Sequence, residues 1–176
     1  MAESDIKKII ALSTLSQLGV IIFTLGINLP QLAFFHLLTH ALFKALLFIC
    51  AGTIIHCHHH RQDLRTIGNM AAQMPLITSA ITIANMALCG MPFLAGFYSK
   101  DLIIESFSNT THNSLVYIIF ITATTLTTGY SARFTIYVIL GRTQRPSTQY
   151  STESQREINA CAALSMGAVI GGAAIN

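Results

Sequence analysis

His36, His40 and Lys44 stand four residues apart in "HLLTHALFKALLF", residues 36–48, a stretch that is otherwise apolar. On a helix this spacing places all three on one face, about 6 Å per step. Histidine titrates near neutrality, and an ionisable side chain at membrane depth is a functional group by default. Lys44 is flanked by "HALF" and "ALLFIC", too deep for its stem to reach water by snorkelling. Three proton-exchanging groups in a row can act as a relay. Two charges about 8 Å apart at an effective dielectric of 20 interact by roughly 2 kcal/mol, so one protonation event pushes another. For one such residue, an interhelical hydrogen bond or a structural ion pair would be an equal assignment. Three in register favour the relay.

Lys100 and Asp101 form the second candidate group, in "GFYSKDLIIES". They follow directly on "CGMPFLAGF", where Gly90, Pro92 and Gly96 fall within seven residues and should break a helix. Freed backbone at membrane depth survives only when buried in protein or lining a wet cavity, and broken helices in transporters mark ion sites. The competing assignment is a simple proline kink. Replacing Pro92 by alanine is expected to straighten the helix. An isolated lysine–aspartate pair is ordinarily of little consequence. Placed after such a break, Lys100 and Asp101, with Glu105 one turn on, become a candidate proton exit.

Other polar residues read more blandly. Ser13, Ser16 and Gln17 share a face of the first apolar run and read as polar glue between helices. Arg133 reads as a structural cation paired with a carboxylate or a carbonyl. "HCHHH", residues 56–60, has zinc-ligand residue types. Five adjacent side chains cannot converge on one ion, however, and no second ligand cluster stands elsewhere, so no metal is expected. Asn109 opens "NTT", a formal glycosylation sequon that matters only in a secretory lumen.

The elements that must hold these groups follow from composition. Of 176 residues, 52% are hydrophobic and 10% are charged, against about 25% charged in soluble domains. Much of the surface therefore faces lipid. The net charge of +3 and pI near 8.8 are mild, without basic stripes interleaved with aromatics, so no nucleic acid is expected as a partner. The four cysteines form no CxxC pair and read as buried, inert thiols. "MAESDIKK" has no basic n-region before an apolar run, so no secretory signal is expected. A membrane helix needs about 20 mostly apolar residues. Five stretches qualify, at 9–27, 32–55, 75–97, 114–140 and 158–175. Strand-like alternation is absent, so the expected fold is an all-α polytopic membrane protein of about five spans, with 75–97 discontinuous. If the spans alternate, the segments 1–8, 56–73 and 141–157 share one side with Lys7, Lys8, Arg61, Arg65, Arg142, Arg145 and Arg156. The opposite side has only Lys100. By the positive-inside rule the N-terminus faces the cytoplasm or its organellar equivalent.

Four stretches together, "DIKKIIALSTLSQLG", "THALFKALLFICAGTIIH", "QDLRTIGNM" and "GMPFLAGFYSKDLIIES", closely resemble the chain 5 family of NADH–ubiquinone oxidoreductase. These are the distal antiporter-like membrane subunits of mitochondrial respiratory complex I. The resemblance is strong over residues 5–141 and weaker to the end. It implies that residues 1–141 form the second half of an antiporter-like, proton-translocating domain, with a loop and a further membrane helix at 142–176. It implies that Lys44 is the central lysine of a proton channel, with His36 and His40 beside it. It also implies that Lys100 and Asp101 stand at the output end. The expected location is the mitochondrial inner membrane, with this N-terminus on the matrix side. The expected partners are the other complex I membrane subunits, above all the neighbouring antiporter-like subunit, and the lipid bilayer. No cofactor is expected in this chain, since NADH, FMN, iron–sulfur clusters and ubiquinone bind elsewhere in the complex. The family's first repeat and its lateral helix have no counterpart here, which implies a fragment, a separately encoded half or a nuclear copy of the gene. The alternative function is a subunit of a multisubunit cation/proton antiporter, which shares the fold and the lysine sites.

Overall fold

The computed structural model describes residues 3–58, 61–110, 114–141 and 155–175, and these are all-α. Seven helices follow in order: α1 (Ile6–Gly26), α2 (Pro30–Cys57), α3 (Met70–Gln73), α4 (Pro75–Cys89), α5 (Ala95–Thr110), α6 (Ser114–Leu140) and α7 (Gln155–Ile175). Proline at the first position of α2 and α4 suits the fixed φ of that site, where the missing N–H would be unbonded anyway. α1, α2, α6 and α7 are each long and apolar enough to cross a membrane. α4 and α5, with 15 and 16 residues, reach only about 22–24 Å each at 1.5 Å per residue. Neither crosses a core of about 30 Å alone; in succession they do.

Packing shows that they run in succession. At one end, Ile6 and Ile10 of α1 share a core with Ile54 of α2, Ile77 of α4, Val138 of α6 and Cys161 of α7. Midway, Phe43 of α2 packs with Ala87 and Leu88 at the end of α4. At the other end, Val20 of α1 meets Ile103 of α5 and Phe120 of α6. Phe23 lies edge-on to Phe107 at 5.1 Å and stacks on Phe120 at 4.9 Å. The described helices thus make five passes, the third broken between α4 and α5. α7 packs against α2, α4 and α5.

The third pass differs from the sequence expectation at one point. Lys100 was expected in a connecting segment on the side poor in basic residues; residues 98–110 are helical. Ser99, Lys100, Ile103 and Phe107 are buried on one face of α5, while Asp101, Glu105 and Ser108 are exposed on the other. Lys100 therefore belongs to the helix bundle, not to a loop.

Hydroxyl-rich "ITATTLTTGYS" still forms a span because its threonines are satisfied within the helix. Thr122, Thr124, Thr125, Thr127 and Thr128 each donate to the carbonyl three residues earlier, at 2.7–2.9 Å. The outward faces of α1 and α6 expose large apolar side chains such as Leu15, Ile22, Leu115 and Ile118. At the basic end, the backbone pins the N-terminus to the segment after α2. Ile6 N–H donates to Gln62 O and Leu64 N–H to Ser4 O, both at 2.9 Å.

Candidate functional site

The row on α2 exists as its spacing implies. His36, His40 and Lys44 are all buried, with 0%, 8% and 4% of their surface exposed. The rings of His36 and His40 lie 6.3 Å apart, and Phe43 closes edge-on against His40 at 5.4 Å.

Two other helices supply the partners. Lys44 Nζ donates to Ser13 Oγ of α1, and that hydroxyl donates to Ile10 O at 2.8 Å. His36 Nε2 meets Gln17 Oε1 of α1 at 3.2 Å, and its Nδ1 meets Ser99 Oγ of α5 at 3.0 Å. Ser13 and Gln17 are the polar glue expected of them, but they grip the titratable row itself. Thr39, between the histidines, turns its hydroxyl to the carbonyls of Phe35 and His36.

The break between α4 and α5 positions the second lysine. Gly90 ends α4 at φ 81°. In this left-handed conformation its N–H bonds Ala87 O, and Met91 N–H bonds Met86 O, both at 3.1 Å. A helix end leaves carbonyls unbonded and gathers partial negative charge. Lys100 reaches back across the break and donates from Nζ to Leu88 O. It can do so because α5 starts hard against α4: a Cβ on Gly96 would lie 1.8 Å from Ala87 O.

No carboxylate among the described residues pairs with Lys44 or Lys100; the ion pair found there is Lys8–Asp5, at 3.1 Å near the N-terminus. Two buried lysines are thus held by neutral oxygens, Lys44 on α2 by a hydroxyl of α1 and Lys100 on α5 by a carbonyl across the break. Asp101 is not brought into this cluster: it is exposed on the opposite face of α5, as is Glu105. Arg133 was expected beside a carboxylate or carbonyl. Its guanidinium instead lies over the Tyr137 ring, 5.5 Å from the centroid.

The loop after α2 shows little ligand geometry. His58 Nε2 approaches Met70 Sδ at 3.0 Å, while His59 and His60 of the "HCHHH" run lie outside the described residues, as does Thr111 of the sequon. No group of three or more histidine, cysteine or acidic side chains with metal-site geometry occurs among the described residues.

One residue at the site escapes sequence reasoning. Tyr130 of α6 lies beside Ser13, Ser16 and Gln17. It lines a cavity of about 330 Å³ between α1 and α6 that also touches Ser13, Ser16 and Arg133. Within a hydroxyl-rich apolar span no local signal distinguishes it.

Residues 1–127 match the family model described as NADH:quinone oxidoreductase/Mrp antiporter, transmembrane. Several curated proteins are similar to the chain, each named NADH-ubiquinone oxidoreductase chain 5. That of Lumbricus terrestris is 48% identical over 174 residues, covering 99% of this chain and 30% of the relative. That of Aedes aegypti is 57% identical over 139 residues, covering 79% and 24%. That of Felis catus is 44% identical over 173 residues, covering 98% and 28%. The chain thus spans less than a third of the length of these relatives.

Proposed function

The chain belongs to the NADH:quinone oxidoreductase/Mrp antiporter membrane family, and from this we propose that it carries part of a proton path in respiratory complex I. In this reading, NADH oxidation and ubiquinone reduction occur elsewhere in the assembly, and this chain itself binds no redox cofactor. Lys44 is the central station of the path, with His40 and His36 as its neighbours on α2. Lys100 is the next station, across the helix break. Asp101 faces outward and serves the output only together with a neighbour outside this chain. Residues 1–141 hold the path, and the segment 142–176 braces it through α7.

The observation that supports this reading is the pair of buried lysines without carboxylates, Lys44 on Ser13 of α1 and Lys100 on Leu88 O across the helix break. A structural role would be served by an ion pair. A proton carrier needs an ammonium held by groups that survive its deprotonation, and a hydroxyl or a carbonyl does. The names of the relatives favour complex I over a separate cation/proton antiporter. They also favour the mitochondrial inner membrane, and the basic residues near the α1 end favour an N-terminus on the matrix side. The partners in this reading are the other complex I membrane subunits, chiefly the neighbouring antiporter-like subunit, and the lipid bilayer.

The test is Lys44→Ala in the assembled complex, with proton-to-electron stoichiometry measured in sealed vesicles. Assembly should persist and the stoichiometry should fall. An unchanged ratio in a fully assembled variant refutes the relay.

A further inference from the structure

The four cysteines read in sequence as separate, inert thiols. Two of them are not separate. Cys50 of α2 and Cys161 of α7 are 111 positions apart in the chain, yet their sulfurs lie 3.5 Å apart. Both are buried, with 0% and 4% of their surface exposed, in the core that also holds Ile54, Ile77 and Ala80. A disulfide needs its sulfurs about 2.0 Å apart. Closure therefore asks for an approach of roughly 1.5 Å, which rotation of two small side chains supplies. The other two cysteines are placed differently. Cys89 Sγ meets Ser131 Oγ at 2.8 Å, and Cys57 is half-buried at the end of α2.

Oxidation also needs a way in. Cys161 lines a cavity of about 130 Å³ between α4 and α7, beside Ser79, Ile83 and Ser165. A water takes up about 30 Å³ in the liquid, so a molecule of that size enters easily. The Ser79 and Ser165 hydroxyls donate to Leu76 O and Ala162 O, at 2.7 and 2.8 Å. Their oxygens keep lone pairs that accept hydrogen bonds from a small hydroxylic guest. Cys50 is not among the residues that line this cavity. A reagent there meets Cys161 first, and Cys50 stands directly behind it.

We infer that Cys50 and Cys161 form an oxidisable dithiol, a modification site whose reagent is hydrogen peroxide. In the first step the Cys161 sulfur attacks one peroxide oxygen. The O–O bond breaks, the thiol hydrogen leaves with the other oxygen as water, and Cys161 becomes a sulfenic acid. In the second, the Cys50 sulfur attacks the Cys161 sulfur. The S–O bond breaks, and the hydroxyl leaves with the Cys50 hydrogen as a second water. Two thiols and one peroxide thus give one disulfide and two waters. The sulfurs lose two electrons and the peroxide gains them. The new bond ties α7 to α2 six residues after Lys44. α7 already lies close on α2 there: a Cβ on Gly171 would stand 3.1 Å from Leu42 Cδ1. None of this depends on the proposed proton path, so the two fail separately.

The experiment treats the full chain in membranes with hydrogen peroxide and maps its cysteines by peptide mass spectrometry. Half-buried Cys57 is the internal gauge, and peroxide is raised until it is consumed. The Cys50 and Cys161 peptides should then be recovered joined, with both thiols lost together and regained on reduction with dithiothreitol. Cys50 and Cys161 still unmodified when Cys57 is consumed overturns the site, and so does Cys50 joined to Cys57 or Cys89. The unaltered chain decides this, without any variant. Two conservative variants then test the order of the steps. In Cys50→Ser, Cys161 should stop at the sulfenic acid and take a dimedone tag. In Cys161→Ser, Cys50 should stay untagged. A tag on Cys50 there overturns Cys161 as the point of attack.

Discussion

Gly96→Ala tests the geometry of the break most directly. The new Cβ would lie 1.8 Å from Ala87 O and 2.9 Å from Ala87 C, whereas real Cβ atoms essentially never come within 3.0 Å of another group. The neighbour is backbone, so no rotamer change relieves the clash. α5 must move away from α4 by at least about 1.2 Å, the difference between those two separations. Two bonds made by α5 cannot follow. Lys100 would lose its hold on Leu88 O, a charge-assisted bond of about 1.5–3 kcal/mol. His36 Nδ1 to Ser99 Oγ, now 3.0 Å, would open beyond bonding distance. Overpacking of this kind itself costs about 1–3 kcal/mol. The expected total is a loss of several kcal/mol together with impaired proton transport. The assay is the thermal midpoint of helix loss in membranes, read beside proton uptake. Gly52→Ala is the control, since a Cβ there meets nothing within 4 Å, and helix propensity alone makes it neutral or slightly stabilising. Equal midpoints for Gly96→Ala and Gly52→Ala would refute the close approach, and with it this account of how Lys100 is placed.

Ser13→Ala removes the oxygen that holds the Lys44 ammonium and should cost about 1–3 kcal/mol, the penalty of an unmatched buried donor. Ser16→Ala, whose hydroxyl donates back to Ser13 O at 2.9 Å and holds no lysine, should cost much less, and equal midpoints for the two would argue against the Lys44–Ser13 contact. Pro92→Ala should leave the break in place and shift stability by under about 1 kcal/mol, because Pro92 is exposed in the turn and Gly90 and Phe93 hold φ 81° and 70° on either side. A continuous helix through residues 89–95 in that variant, seen as protected amides in hydrogen exchange, would show that the proline alone makes the break.

Much of the bundle is legible because membrane helices announce themselves by length and apolarity. The row on α2 is legible because a helix converts a spacing of four into one face. α5 is not, for a physical reason. Its Lys100, Asp101 and Glu105 lower the local hydropathy to that of a loop, and only the repeat Ser99, Ile103, Phe107 records the buried face. Attribution of the break also shifts between levels. The sequence draws attention to Pro92 as the helix breaker, whereas the geometry rests on the left-handed Gly90 and on the absence of a Cβ at Gly96. Ser13 and Gln17 are visible as polar residues on α1, but which groups they meet is decided by how α1 lies on α2. Tyr130 depends on a third helix again, and no pattern within α6 could single it out.

The absence of carboxylates beside the two lysines among the described residues bears on whether protons can move at all. A buried ammonium–carboxylate pair is costly to break, about 3–5 kcal/mol when one partner is lost, and each exchange would have to climb that step. A bond to a neutral oxygen is weaker, about 1.5–3 kcal/mol for a charged donor. Moving one elementary charge through 100 mV takes about 2.3 kcal/mol, which is the same scale. Lys44 on a serine hydroxyl and Lys100 on a helix-end carbonyl therefore sit in holds that a membrane potential, or a neighbouring charge worth roughly 2 kcal/mol at about 8 Å, can tip. One such step does not span a larger potential. Several groups of comparable depth must share it, and His36, His40, Lys44 and Lys100 are four buried groups drawn together from α2 and α5. Replacing Ser13 by aspartate would test the same reasoning from the other side. It should strengthen the grip on Lys44, leave the bundle assembled and slow proton transfer. Transfer at the wild-type rate in an assembled Ser13→Asp variant would show that the neutrality of the hold is irrelevant.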